Sequence, residues 1–235
     1  RYNKYYYDKN SPLVEDFKYD ELKKEILNLE LKYTFLKSKN SPSKIVGFKP
    51  SKNFKKALHR VPMLSLANAF SEEDLRNFEK KILNFISEDE DFQISYSAEP
   101  KIDGISASLT YKNGKFIKGL SRGDGKEGED ITANLATIKD IPKEISVNNF
   151  PKEIDIRGEV FIQNSDFKSF KEKFANPRNA ASGSLRQKNP TDTSKIPLKF
   201  IAYTFGYERG LMIKNQFEYL KKLNEWGFKT NPFNK

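Results

Sequence analysis

The chain has 235 residues, with 42 Lys plus Arg against 32 Asp plus Glu, a formal net charge of +10. Its 37% hydrophobic and 13% aromatic content supports a buried core, excludes a disordered composition and suits one large domain or a domain with a small appendage. With no cysteine and one histidine (His59), disulfide scaffolds, thiolate zinc sites and multi-histidine metal centres are excluded, no apolar run has membrane-spanning length, and an intracellular, cytoplasmic protein is expected.

In chain order, "DFKYDELKKEILNLELKY" from Asp16 places Leu22, Ile26, Leu29 and Tyr33 at helical steps, the stripe of an amphipathic helix. The polar "KSKNSPSK" (Lys37 to Lys44) then reads as a linker, so residues 1–42 form a small helical unit and 43–235 the main domain. A second helix opens at "SEEDLRNFEKKILNFI", with Ser71 and Asp74 as a capping box and Leu75, Phe78, Ile82 and Phe85 as the apolar stripe. After it the period changes to two. Ile105, Ala107, Leu109 and Tyr111 alternate with Ser106, Ser108 and Thr110, and Asn113-Gly114 turns this strand into "KFIKGLSR". "EIDIRGEVFI" (Glu153 to Ile162) and "LKFIAYTFGY" (Leu198 to Tyr207) are further strands. Hairpins and helices without regular strand-helix alternation predict an α+β fold with largely antiparallel sheet.

The basic balance makes nucleic acid the first partner to consider, although a lysine-rich background produces the same charge. Gly123, Gly125 and Gly128 in "RGDGKEGED" have G-x-G-x-x-G spacing, but Asp124, Glu127, Glu129 and Asp130 would repel a pyrophosphate, and a dinucleotide fingerprint must open a helix. More is carried by "SAEPKIDGISASL". In an extended chain Glu99, Lys101 and Asp103 share one face. That pattern fits a surface salt-bridge ladder or a lysine nucleophile. Flanking carboxylates favour the charged ammonium, so a nucleophile needs further positive charge nearby. In "FANPRNAASGSLRQ", Asn176 and Pro177 start a helix whose Ala180 to Ser184 face has little bulk, bracketed by Arg178 and Arg186. Either a tightly packed core helix or a phosphate-facing helix fits. Arg157 and Glu159 share a strand face, as a cross-strand ion pair or with Glu159 accepting from a ribose hydroxyl.

Seven segments, "SPLVEDFKYDEL", "VGFKP", "HRVPMLSLANAF", "EPKIDGISASL", "SRGDGKEGEDITANLATIKDIP", "DIRGEVFI" and "FANPRNAASGSLRQKNP", resemble the bacterial NAD-dependent DNA ligases, in that order. The resemblance implies a nucleotidyltransferase domain of the ligase and mRNA-capping type, preceded by a small domain that recognises the nicotinamide mononucleotide (NMN) end of NAD. It implies Lys101 as the nucleophile that forms lysyl-AMP from NAD, with Asp103 orienting it or a hydrated magnesium (or manganese) ion. Glu99 is implied as the adenine contact, Arg122 and Glu159 as ribose and nucleotide contacts, and Ser65 and Leu66 as an NAD-lining pair. Arg178 and Arg186 would face phosphates of AMP or DNA, and Tyr6, Asp16, Phe17, Lys18, Tyr19 and Asp20 would form the NMN site. The implied partner is nicked double-stranded DNA, sealed in replication and repair, with no membrane and no obligate protein partner.

The chain departs from the family pattern at Tyr7, where histidine is usual, and at Ala67, where aspartate is usual. It also stops at "NEWGFKTNPFNK", ahead of the family's D-G-V-V-I-K segment and later lysine motif. The expectation is therefore a partial adenylation module, with a non-catalytic module that binds nucleotide or DNA as the alternative.

Overall fold

A computed structural model describes residues 14, 16–38, 41, 54–87 and 92–235 of the chain. Helix α1 (Asp16–Lys32) occupies the first predicted helical stretch. Its stripe is only partly used: Leu22 and Ile26 are half-buried, whereas Leu29 and Tyr33 are exposed and Tyr19 is buried. Lys24 links this helix to the rest, with Nζ 4.9 Å from the centre of the Phe70 ring and 4.0 Å from Asp74 Oδ2.

After the short strand β1 (Lys56–Leu58), helix α2 (Glu72–Ile86) begins with the predicted capping box. Ser71 Oγ accepts from the Asp74 amide and Asp74 Oδ2 accepts from the Ser71 amide, both at 3.1 Å. The predicted stripe does not enter a core. Leu75, Phe78 and Phe85 are exposed, and the buried side chain of α2 is Leu83. The amphipathic period was real, but of that stripe only Ile82 is half-buried.

Strand β2 (Ile105–Lys112) turns through Asn113 and Gly114 into β3 (Lys115–Ser121). Both turn residues have positive φ, 48° and 78°, the requirement of a two-residue type I′ hairpin. Strand β4 (Glu127–Glu129) pairs antiparallel with β1 and is followed by one turn of helix, α3 (Thr132–Leu135). Gly123 and Gly125 shape the turn before β4, where Asp124 Oδ1 accepts from the amides of Lys126 and Glu127. No dinucleotide-type helix opens from it, as its acidity predicts.

Next come β5 (Glu153–Phe161), the single turn α4 (Asn164–Phe167), α5 (Pro177–Leu185), α6 (Pro190–Ser194), β6 (Lys199–Arg209) and α7 (Gln216–Glu225). The main sheet has order β3-β2-β5-β6, with every neighbouring pair antiparallel. The α+β expectation holds. Even-numbered residues of β5 (Ile154, Ile156 and Val160) point to one face, together with Leu109 and Tyr111 of β2 and Phe200 and Ala202 of β6. Against this face pack Leu135, Leu185, Tyr219 and Leu223, so the core lies between the sheet and its helices. Each large side chain removed from water here contributes about 1.5–3 kcal/mol.

Helix α5 decides between the two readings of its small residues. Ala180, Ala181, Ser182 and Ser184 are buried, and a Cβ on Gly183 would stand 2.8 Å from the Phe174 ring. The bulkless face is thus packing surface. Asn176 caps this helix by accepting from the Asn179 amide at 2.7 Å.

Candidate active site

The odd-numbered residues of β5, Glu153, Asp155, Arg157 and Glu159, point away from the core. In register beside them on β2 lie Thr110, Ser108 and Ser106, paired with Asp155, Arg157 and Glu159. Residues 59–70 have no regular secondary structure, and 61–66 of them lie against this polar face. Between them lies a cavity of about 710 Å³.

Seven of the residues singled out from the sequence line that cavity: Ser65, Leu66, Glu99, Lys101, Arg122, Glu159 and Arg178. They arrive from separate parts of the chain, joined by the sheet. Glu159 is buried and accepts from Ser106 Oγ at 2.8 Å. Burial raises its pKa, while the Ser106 hydrogen bond and the charges of Arg178, Lys101 and Arg122 oppose the rise. One carboxylate is therefore held among three cations.

Lys101 is exposed at the end of an irregular segment, 92–104, so the strand-like alternation expected there is absent. Its flanking carboxylates have other partners. Glu99 Oε1 accepts from Gln216 Nε2 at 2.7 Å, and Asp103 Oδ1 accepts from Arg178 Nη1 at 3.1 Å. The salt-bridge ladder is thus not formed; neither Glu99 nor Asp103 pairs with Lys101.

Other expected residues stand elsewhere. The Asp103 side chain is 62% exposed and does not line the cavity. Nor does Arg186, whose Nε donates to Glu129 Oε2 at 3.2 Å. Lys18 pairs with Glu21 at 3.1 Å on α1, and Tyr19 is buried there; neither lines the cavity. Tyr6 and Tyr7 lie outside the described residues, as do the side chains of Asp16, Phe17 and Asp20. Arg157 makes no ion pair with Glu159, contrary to the simplest strand-face reading; its guanidinium donates to the carbonyls of Val61 and Pro62.

Among the lining residues that escaped sequence reasoning are Ser106, Arg157 as a cavity residue, Tyr203 and Gln216. Tyr203 hydrogen-bonds Ser106, and burial, with the Glu159 charge adding to it, pushes its pKa up to about 12. Gln216 Nε2 also donates to the Tyr203 carbonyl at 2.7 Å, tying Glu99 to β6. Alternation in "LKFIAYTFGY" sets Ile201 and Tyr203 opposite Phe200 and Ala202, a usable signal for Tyr203. Nothing local marks Gln216.

Two family models cover most of the chain: the NAD-dependent DNA ligase adenylation domain over residues 51–235, and the DNA ligase-like N-terminal NAD+-binding domain over residues 1–47. The chain belongs to the NAD-dependent DNA ligase family. Among its relatives, a DNA ligase of Pelagibacter ubique is 71% identical over all 235 residues, which cover 35% of that protein. A DNA ligase of a Bradyrhizobium species is 45% identical over the whole chain and 34% of its own length, and one from Rickettsia bellii is 46% identical over the whole chain and 35% of its length. The chain spans about a third of the curated ligases it matches. Lys101 of the K-x-D-G segment lines the cavity together with Glu159, Arg122, Arg157 and Arg178. No described helix is long and apolar enough to cross a membrane.

Proposed function

We propose that this chain is the adenylating module of an NAD-dependent DNA ligase, with 1–42 as the NMN-recognising unit, 43–235 as the nucleotidyltransferase domain and Lys101 as the nucleophile. The observation that carries the reading is the convergence of Lys101, Arg122, Glu159 and Arg178 on one cavity. NAD is the cosubstrate. Lys101 Nζ, as the free amine, attacks the adenylyl phosphorus. The N–P bond forms as the P–O bond to NMN breaks, NMN leaves with the bonding electrons as a phosphate monoester, and the amine proton passes to solvent. Arg122 and Arg178 neutralise charge that develops on the phosphoryl oxygens. Glu159, held by Ser106, accepts from a ribose hydroxyl, and Glu99, held by Gln216, from the adenine amine.

Among the described residues no three acidic or histidine side chains cluster as a metal site. A lone carboxylate suits magnesium, which keeps most of its waters and takes one carboxylate plus substrate phosphates. Exposed Asp103 is the carboxylate that would hold it, and the ion would supply charge neutralisation. In the whole enzyme, AMP then passes to the 5′-phosphate of nicked duplex DNA, and the 3′-hydroxyl displaces it to seal the strand for replication and repair.

Intact-mass spectrometry tests this reading. Incubation with NAD and magnesium should add the mass of one AMP moiety, ATP should add none, and Lys101→Ala should abolish the adduct. An adduct from ATP, or one that survives in Lys101→Ala, overturns it.

A further inference from the structure

The wall of the cavity formed by residues 61–66 is an irregular segment with little of its own to hold it. Leu64 and Leu66 are 84% and 78% exposed, and the buried side chain is Met63. The Met63 amide donates to the Gly125 carbonyl at 2.8 Å; among the described residues, 64–69 make no hydrogen bond. Just before the wall, Arg60 is anchored to β5 through Asp155 and Glu153 and stacks over Tyr207 of β6; within 61–66 itself, the tie to the main sheet is Arg157. The residue is 9% exposed, its Nη2 donates to the Val61 carbonyl, and its Nη1 donates to the Pro62 carbonyl at 3.3 Å.

The slot for that guanidinium is built by the neighbouring strand. A Cβ on Gly206 of β6 would stand 2.7 Å from Nη2 and 2.9 Å from both Cζ and Nε of Arg157. No described carboxylate pairs with Arg157, because Asp155 is taken by Arg60 (Nε 3.0 Å, Nη2 2.5 Å) and by Thr110 at 2.6 Å. Its Nε is buried without a hydrogen-bond partner. A buried cation with an unsatisfied donor is costly, and here its donors are aimed at the two carbonyls where the wall begins.

We propose that Arg157 is the positioning residue for nucleotide affinity: it latches the 61–66 wall over the sheet, through the gap left by Gly206, and makes no contact with the reacting phosphate. The inference rests on the proposed reading for the identity of the ligand, but not for the latch itself. Loosening the latch leaves Lys101 in place and lets the wall carrying Ser65 and Leu66 drift.

The test uses the full chain and three variants, R157M, R157K and G206A. Single-turnover adenylation of Lys101 across NAD concentrations should show half-saturation raised about tenfold in R157M and G206A, the loss of one charge-assisted bond. The rate at saturating NAD should move less than about threefold, and R157K, which keeps one donor, should fall between. Hydrogen exchange of the peptide spanning 59–66, measured without NAD, should quicken in the same order. R157K and G206A decide the matter if R157M does not fold. A lower saturating rate at unchanged half-saturation would assign Arg157 to the chemistry and overturn the proposal. Unchanged exchange in the variants would also overturn it, and that arm stands even if wild type forms no adduct and the adenylation reading itself fails.

Discussion

Glu129→Gln is the sharpest probe of how the site is supported. The Glu129 side chain is 0% exposed and Arg186, which donates to it at 3.2 Å, is 21% exposed. Removing one partner of a buried ion pair costs about 3–5 kcal/mol, because the other is left charged without compensation. Water reaches part of Arg186, and glutamine keeps the volume and one acceptor oxygen, so the lower end, about 3 kcal/mol, applies. In a chain of this size each kcal/mol moves the thermal midpoint by about 2–4 °C, which gives a drop of about 6–12 °C. Circular-dichroism melts of wild type, Glu129→Gln, Arg186→Met and the double variant form a cycle whose coupling should exceed about 1.5 kcal/mol. A midpoint within about 2 °C of wild type, or a coupling below about 0.5 kcal/mol, would refute the reasoning. The same cycle asks whether Arg186 first supports the fold, where the sequence motif alone suggested a phosphate contact.

Three more outcomes are expected. Gly104→Ala would drive a Cβ into the Val160 carbonyl oxygen and to 2.9 Å from Glu159 Cγ; stability should fall by about 1–3 kcal/mol and Lys101 adenylation should slow with it, whereas a wild-type melt would contradict the close approach. His59 Nε2 lies 3.1 Å from the carbonyl oxygens of Ser121 and Arg122, and burial, helped by the Arg157 charge, lowers its pKa below 6.5 against the opposing backbone hydrogen bonds and Asp155. Its stabilisation is therefore present above pH 6.5 and lost as pH falls through the folded-state pKa, so the melting gap between wild type and His59→Gln should narrow on acidification; a gap that widens would reverse the sign. Tyr203, raised to about 12, acts at the other end: stability is present below pH 10 and drains as pH rises toward 12, by about 3 kcal/mol, and Tyr203→Phe should flatten that alkaline limb in urea titrations.

Much of this was legible because it is local. Asn113-Gly114 dictates a hairpin wherever it sits between alternating strands, and Ser71 with Asp74 caps a helix from three residues apart. Burial is different, because it depends on what lies opposite. The stripe of α2 has the right period and remains exposed at Phe85, while the small face of α5 is buried against the fold. The site followed the same division. The lysine, the arginines and Glu159 could be nominated from motif residues, but the partners that orient them could not. Gln216 holds Glu99 from 117 residues away, and Arg157 exchanges an expected carboxylate for two carbonyls of a distant loop. Such pairings exist only once β5 and β6 have come together.

Strand β5 separates two kinds of failure by parity alone. Ile154, Ile156, Gly158 and Val160 serve the folding core, and Glu153, Asp155, Arg157 and Glu159 face the polar side, where Arg157 and Glu159 line the cavity, with both sets buried or nearly so. Saturation mutagenesis along these positions, scored separately for protein abundance and for nucleotide transfer, should give a sawtooth. Even positions would be lost from the first readout, and odd ones would fall chiefly in the second. A one-residue slip of β5 would exchange the two roles everywhere at once, so the strand can drift in sequence but not in phase.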